Sequence, residues 1–240
     1  MKIMLWGAIL TFTLMSVFAQ AAEFEEDILK TSLGDLKMTF IGHGTLMFSL
    51  GDKIIHIDPV GRYADYAAMP QADLILVTHE HGDHLDIKVI ELLKKPGTEI
   101  VLNESSQAKF QGGTVLKNGD VFNFGEIKIE AVPAYNLDPE TSFHPKGRDN
   151  GYILNVGDQR IYIAGDTENI PEMRSLKDID VAFLPMNRPY TMTPEMAAEA
   201  AKVFKPRFLY PYHYGNTDPQ ELVTLLRDVP EIEVRVRNLR

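Results

Sequence analysis

Within nine residues, Thr78-His79-Glu80-His81-Gly82-Asp83-His84-Leu85-Asp86, the chain places three of its seven histidines and three carboxylates. The residues just before, Ala72-Asp73-Leu74-Ile75-Leu76-Val77, are mostly apolar strand formers. Loops held at the ends of buried strands are where a rigid scaffold commonly carries chemistry. The residue types are those of a metal site: imidazole nitrogens and carboxylate oxygens, in a chain without cysteine. A turn that merely caps a helix needs one capping side chain, not five potential ligands. In extended backbone His79 and His81, two apart, project to the same side. Asp83 and His84 point apart unless the chain turns between them, and Gly82 permits a turn. One loop can thus feed two neighbouring metals, His79 and His81 to one, Asp83 and His84 to the other.

The 240 residues, 45% hydrophobic and 24% charged, suit one globular domain with a substantial core. A net charge of −10 argues against non-specific nucleic-acid binding, which needs a basic surface. It leaves room for a small anionic substrate held by a few local cations. The N-terminus reads as a signal peptide: Lys2, an apolar run from Ile3 to Phe18, then Ala19-Gln20-Ala21 as a small-x-small cleavage site. Residues 1–21 would be removed, leaving one domain over 22–240. The apolar run is short for a membrane span, and no second span follows. The expectation is a periplasmic or secreted protein with no stable membrane anchor after cleavage. With no cysteine, it has neither disulfides nor a lipoprotein anchor.

Along the chain, Glu23 to Lys30 reads as a loose acidic leader. Strands are expected at Leu36–Leu50 (two, around Gly42-His43-Gly44-Thr45), Lys53–Pro59, Leu74–Val77, Glu99–Leu102, Val115–Lys117, Asp120–Phe124, Ile127–Pro133, Gly151–Val156, Arg160–Ala164, Asp180–Leu184, Phe208–Tyr212 and Glu231–Val236. Helices are expected at Leu85–Lys95, Glu104–Phe110, Pro194–Phe204 and Pro219–Asp228, the third capped by Thr193. Asn136 to Asn150 is a long polar loop. Strand-rich stretches, with helices after the ligand loops, imply two packed sheets covered by helices. No flexible linker or short-period repeat divides the chain.

The His-x-His-x-Asp-His pattern resembles the signature of the metallo-β-lactamase superfamily. That resemblance covers the mature chain and implies an α/β fold, the four-layer αββα sandwich, with metals in the cleft between sheet edges. It also implies roles for later residues. Asp166, in Gly165-Asp166-Thr167 after a strand, matches the carboxylate that bridges two metals. His213, in Tyr212-His213-Tyr214 after another, matches the last histidine of metal 2. A third histidine for metal 1 is usual where this chain has Asn136, and asparagine is a poor zinc ligand. Eight residues on, His144 sits in Phe143-His144-Pro145-Lys146-Gly147, whose turn residues could fold it into the vacancy. Otherwise metal 1 is weakly held, or His144 binds substrate. Asp58 resembles an acid that orients a metal-bound histidine; as a strand-ending Asp-Pro it has a structural reading too. His56 reads as an ordinary strand histidine.

Gly42-His43-Gly44, Ala134-Tyr135-Asn136, His144-Pro145-Lys146-Gly147, Ala164-Gly165-Asp166-Thr167 and Tyr190-Thr191-Met192-Thr193 together resemble the branch with ascorbate-6-phosphate lactonase-like and N-acyl-phosphatidylethanolamine phospholipase D-like proteins. The implied function is an exported metal-dependent hydrolase acting on a small molecule: an ester, lactone or phosphodiester. One or two divalent ions, zinc above manganese or iron, would lower the pKa of a bound water to about 7, with Asp83 orienting that water and shuttling its proton. His43, Asn136, Lys146, Arg148, Asn187, Arg188 and Tyr190 are the candidate substrate contacts. Two alternatives stand beside this reading: a mono-iron redox enzyme on the same fold, and a non-catalytic metal- or ligand-binding protein.

Overall fold

The computed structural model describes residues 24–138 and 143–239; the expected signal peptide, residues 1–21, lies outside them. The N-terminal half forms a seven-stranded sheet in the order β1 (Glu25–Thr31), β2 (Gly34–Gly42), β3 (Thr45–Leu50), β4 (Lys53–Ile57), β5 (Leu74–Leu76), β6 (Glu99–Leu102) and β7 (Thr114–Val115). The C-terminal half forms another: β8 (Val121–Phe124), β9 (Ile127–Ala134), β10 (Asp149–Val156), β11 (Gln159–Ile163), β12 (Val181–Pro185), β13 (Phe208–Tyr212) and β14 (Glu233–Val234). In each sheet four antiparallel strands are followed by three added in parallel. The two halves therefore repeat one topology.

The continuous apolar run of β5 is explained by burial on both faces. Leu74 and Leu76 point into the core between the sheets. Ile75 and Val77 point the other way, onto Val89, Ile90 and Leu93 of α1 (Ile87–Leu93). Each such buried side chain contributes about 1.5–3 kcal/mol. On the second sheet the outer layer is α3 (Pro194–Phe204) beside α4 (Gln220–Leu226). With α2 (Glu104–Lys109) following β6, the result is the four-layer αββα sandwich. The Thr193 hydroxyl accepts from Met196 N and starts α3 at Pro194, as its sequence predicts. No described helix is long and apolar enough to cross a membrane.

The described residues of the acidic stretch Glu23 to Lys30 are not a loose leader. From Glu25 the chain forms β1, which runs to Thr31 and pairs along its whole length with β2. The acids face counter-charges from elsewhere in the chain: Glu26 meets Lys37 at 2.9 Å, and Asp27 receives Arg237 at 2.7 Å. Near the other end of the chain, the expected strand 231–236 is only the two residues of β14.

The halves are stitched at the ends of β5 and β10. Asn150 N donates to Thr78 O at 3.1 Å, and the fully buried Tyr152 hydroxyl donates to Val77 O at 2.7 Å. Tyr152→Phe strands that carbonyl, so unfolding free energy should fall by about 1–2 kcal/mol in urea titration. An unchanged midpoint would show that the bond contributes nothing.

Candidate metal centre

The loop after β5 turns where the sequence requires. His81 O accepts from His84 N at 3.0 Å and from Leu85 N at 2.8 Å, which separates Asp83 and His84 from the two histidines before them. Gly82 keeps an ordinary φ and has open space for a Cβ, so glycine is not what makes this turn. At the far end Asp86 accepts from Lys88 N and Val89 N and starts α1. A glycine is required instead at Gly44, where a Cβ would lie 2.7 Å from His84 Cε1.

Asn136 is occupied in folding its own loop. Its Oδ1 accepts from the backbone N–H groups of Phe143 and His144, both at 3.0 Å, and its Nδ2 donates to Tyr190 O at 2.8 Å. The doubled-back loop delivers His144, only 1% exposed, to the ligand loop. The ring centroids of His79, His81 and His144 stand 4.7, 4.8 and 4.9 Å apart, a nearly regular triangle. Their nitrogens lie close enough to share one ion.

A second group gathers Asp83, His84 and His213, with His43 beside them. Asp166 lies between the two groups. Its Oδ2 is 3.4 Å from His144 Nε2, 4.0 Å from His79 Nε2 and 3.2 Å from His213 Nε2, while its Oδ1 is 3.3 Å from His84 Nε2. One carboxylate thus faces both groups with its two oxygens.

Ring orientation is set from behind. Asp58 holds His84 Nδ1 at 2.8 Å, Asp149 holds His144 Nδ1 at 3.0 Å, and the Thr78 hydroxyl sits 3.0 Å from His79 Nδ1. Each contact leaves Nε2 turned inward. Asp58 also accepts from Thr78 N and Oγ1, so it braces His84 directly and His79 through Thr78. The sequence singled out Asp58 but neither Asp149 nor Thr78. Asp149, an acid five residues after a candidate ligand at the mouth of a strand, was the available signal.

The inner atoms have no partner. His79 Nε2, His84 Nε2, Asp166 Oδ1 and both nitrogens of His213 are buried without a hydrogen bond. Buried polar atoms are ordinarily satisfied, so the four that converge around Asp166, His213 contributing its Nε2, describe a place for a cation, and the nitrogen and oxygen donors fit a divalent ion.

Electrostatics agree. Burial raises Asp166, but the nearby His213 and His84 outweigh it and hold its carboxyl well below the usual range. Burial likewise raises Asp83, and the His43 hydrogen bond with the charge of His84 brings it down. Burial lowers His84, yet Asp166 and Asp58 overcome that and push it up to about 10. Burial, then the charge of His84, keeps His79 well below its ordinary value. His84, raised by Asp166 and Asp58, thus contributes positive charge beside these carboxylates.

The other sequence candidates divide. Lys146 bonds the Tyr135 hydroxyl at 3.1 Å and Glu172 at 2.9 Å. Arg148 holds Asp149 at 2.7 Å and Glu80 at 3.1 Å, and Arg188 pairs with Glu168. These three cations serve the loops that carry the ligands. Asn187 lies against the chain just after His213, within 2.8 Å of where a Gly215 Cβ would be. Tyr190 packs edge-on against Phe143 at 4.8 Å. His56 is buried and bonds Pro70 O at 3.0 Å, away from the centre.

Fold and site define a member of the beta-lactamase superfamily, and residues 37–213 match the family model described as the beta-lactamase superfamily domain. More narrowly, the chain belongs to the UPF0173 metal-dependent hydrolases. The UPF0173 metal-dependent hydrolase TK0141 of Thermococcus kodakarensis is 34% identical over 217 residues, covering 83% of this chain and 96% of that protein. A Parabacteroides distasonis protein of solved structure is 55% identical, with a TM-score of 0.88 over 91% of this chain and 100% of that one. Igni18, a metallo hydrolase from Ignicoccus hospitalis, shares the fold at 24% identity, with a TM-score of 0.72 over 85% of this chain and 95% of its own. The protein is a metal-dependent hydrolase.

Since Asp166 and Asp58 push the pKa of His84 above its ordinary value, metal uptake at pH 8 should displace its proton. Calorimetry in buffers of different ionisation enthalpy should show release of about one proton from this residue, with affinity rising as pH rises. Heats independent of buffer would contradict this. His144→Ala should weaken the ion at His79 and His81, by about 10–100-fold if it acts with them. Unchanged metal content and affinity in that variant would remove His144 from the site.

Proposed function

We propose that the protein binds two divalent ions, most readily zinc, and hydrolyses a carboxyl ester or lactone of a small molecule after export. The observation that carries this is the set of unpartnered inner atoms around Asp166, beside a carboxylate that solvent can reach: the Asp83 side chain is 38% exposed and that of Asp166 3%. Divalent ions held there would polarise an oxygen of the scissile group and lower the pKa of water. Asp83 orients the attacking water, accepts its proton and passes it to the leaving oxygen. His79, His81 and His144 hold one side of the site and His84 and His213 the other, with Asp166 between them. Burial of these groups keeps bulk water from screening charge that develops in the transition state.

Two features favour a carbonyl substrate over a phosphodiester. The three cations expected near the cleft are engaged by Glu172, Glu80, Asp149 and Glu168. Leu137, Phe143 and Tyr190, on or tied to the loop that delivers His144, are exposed apolar surface. The motifs that resemble lactonase-like proteins agree with a carbonyl substrate, whereas the resemblance to phospholipase D-like proteins points to phosphodiesters, so both bond types enter the test. Export rests on the signal-like sequence before residue 22, and the exported chain should begin at Ala22 by N-terminal sequencing.

The test is a panel of esters, lactones and phosphodiesters on protein loaded with zinc, manganese or iron. Ester or lactone turnover should fall about 100-fold or more in Asp83→Asn. Turnover of phosphodiesters alone would overturn the substrate class. No turnover of any member by fully loaded protein would overturn the reading itself.

A further inference from the structure

His43 stands at the edge of the second ligand group. Its ring nitrogen lies within 4.8 Å of the ligand atoms of Asp83, His84 and His213, so distance alone would admit it as another ligand. Ring spacing argues otherwise. Imidazoles that share an ion through nitrogens about 2.0–2.1 Å away hold their centroids about 5 Å apart. His79, His81 and His144 satisfy that, and His84 and His213 stand 5.3 Å apart. His43 and His213 are only 3.7 Å apart, a packing contact.

We propose that His43 is a positioning residue: from the β2–β3 turn it sets both Asp83 and His213 for the ion they share with His84, without binding that ion. It makes three contacts to do so. Its Nε2 is 3.2 Å from Asp83 Oδ2, its ring backs the ring of His213, and its carbonyl accepts from His213 N at 3.1 Å. Tyr63 stacks on the His43 ring, 5.5 Å away at an interplanar angle of 19°. The backbone is committed to this arrangement, since His43 and His213 both hold positive φ, +56° and +46°. Non-glycine residues held in that region collect where surrounding structure fixes a functional geometry. The flanking Gly44 leaves no room for a side chain against His84.

The inference rests on the reading that Asp83, His84 and His213 hold an ion, and the test separates the two. Co2+ is titrated into metal-free wild type and into His43→Gln, His43→Phe and His43→Ala, followed by calorimetry and by the visible cobalt spectrum. Glutamine keeps an N–H near the Nε2 position. Phenylalanine keeps the ring stack without the hydrogen bond, and carries the test if the alanine variant does not fold. Wild type should take up two ions. The first should bind all variants alike. The second should weaken about 10–100-fold in Phe and Ala, as for other residues that orient ligands, and stay within about threefold in Gln, with an unchanged cobalt band. A Gln variant that loses the second ion as fully as Ala, with a shifted band, would make His43 a ligand and overturn the proposal. Unchanged second-ion binding in Phe and Ala would overturn it as well, leaving the metal reading intact. A wild type that takes up no second ion would overturn both.

Discussion

Asp166 is a carboxylate with 3% exposure surrounded by imidazoles. An ion taken out of water costs several kcal/mol unless charge and hydrogen bonds compensate it. The hydrogen bonds do not suffice, because Asp166 Oδ1 and the inward nitrogens of His79, His84 and His213 have no partners. In the cation-free protein the neighbouring His213 and His84 favour the charged carboxylate. A divalent ion supplies more positive charge at the same place and satisfies the unpartnered atoms together. The site is thus built at a cost that metal binding offsets, and the activity class follows from the same imbalance.

The scaffold meets that cost by fixing several of the candidate ligands and the loops that carry them. Asp58, Asp149 and Thr78 fix three rings from behind. Asn136 accepts two hydrogen bonds that fold the loop carrying His144 and donates one that ties it to Tyr190. Among the described residues, five non-glycine positions have positive φ, and three of them, His43, Asp58 and His213, are at the centre. Backbone in that region persists where the surrounding structure over-determines it. The repeated topology explains the placement: β4 and β11 occupy equivalent positions in their sheets and lead into Asp58 and Asp166.

Much of this was legible in the sequence because ligand loops follow strands. Ala72–Val77 and Ile161–Ala164 are apolar runs that end at polar clusters, so the strand pattern located the site residues before any contact was known. Asn136 and His144 were half legible. Pro145 and Gly147 signal a turn, but the direction of the fold depends on Asn136 reaching Tyr190, 54 positions away. Asp149 and Thr78 were hidden because an orienting partner is recognised only once the neighbouring strand is known. The acidic β1 was misread for the same reason: its counter-charge Arg237 lies 210 residues on. The duplication of topology left no periodic signal, since it repeats strand order and not residues.

The central claim is that two ions sit on either side of Asp166. Anomalous diffraction from crystals of metal-loaded protein, recorded across the absorption edge of the bound metal, tests it most directly. The account predicts two peaks about 3.5–4 Å apart, one among His79, His81 and His144 and the other among Asp83, His84 and His213, with Asp166 between. Fully loaded crystals with no peak at these residues, or with ions only elsewhere on the surface, would contradict it.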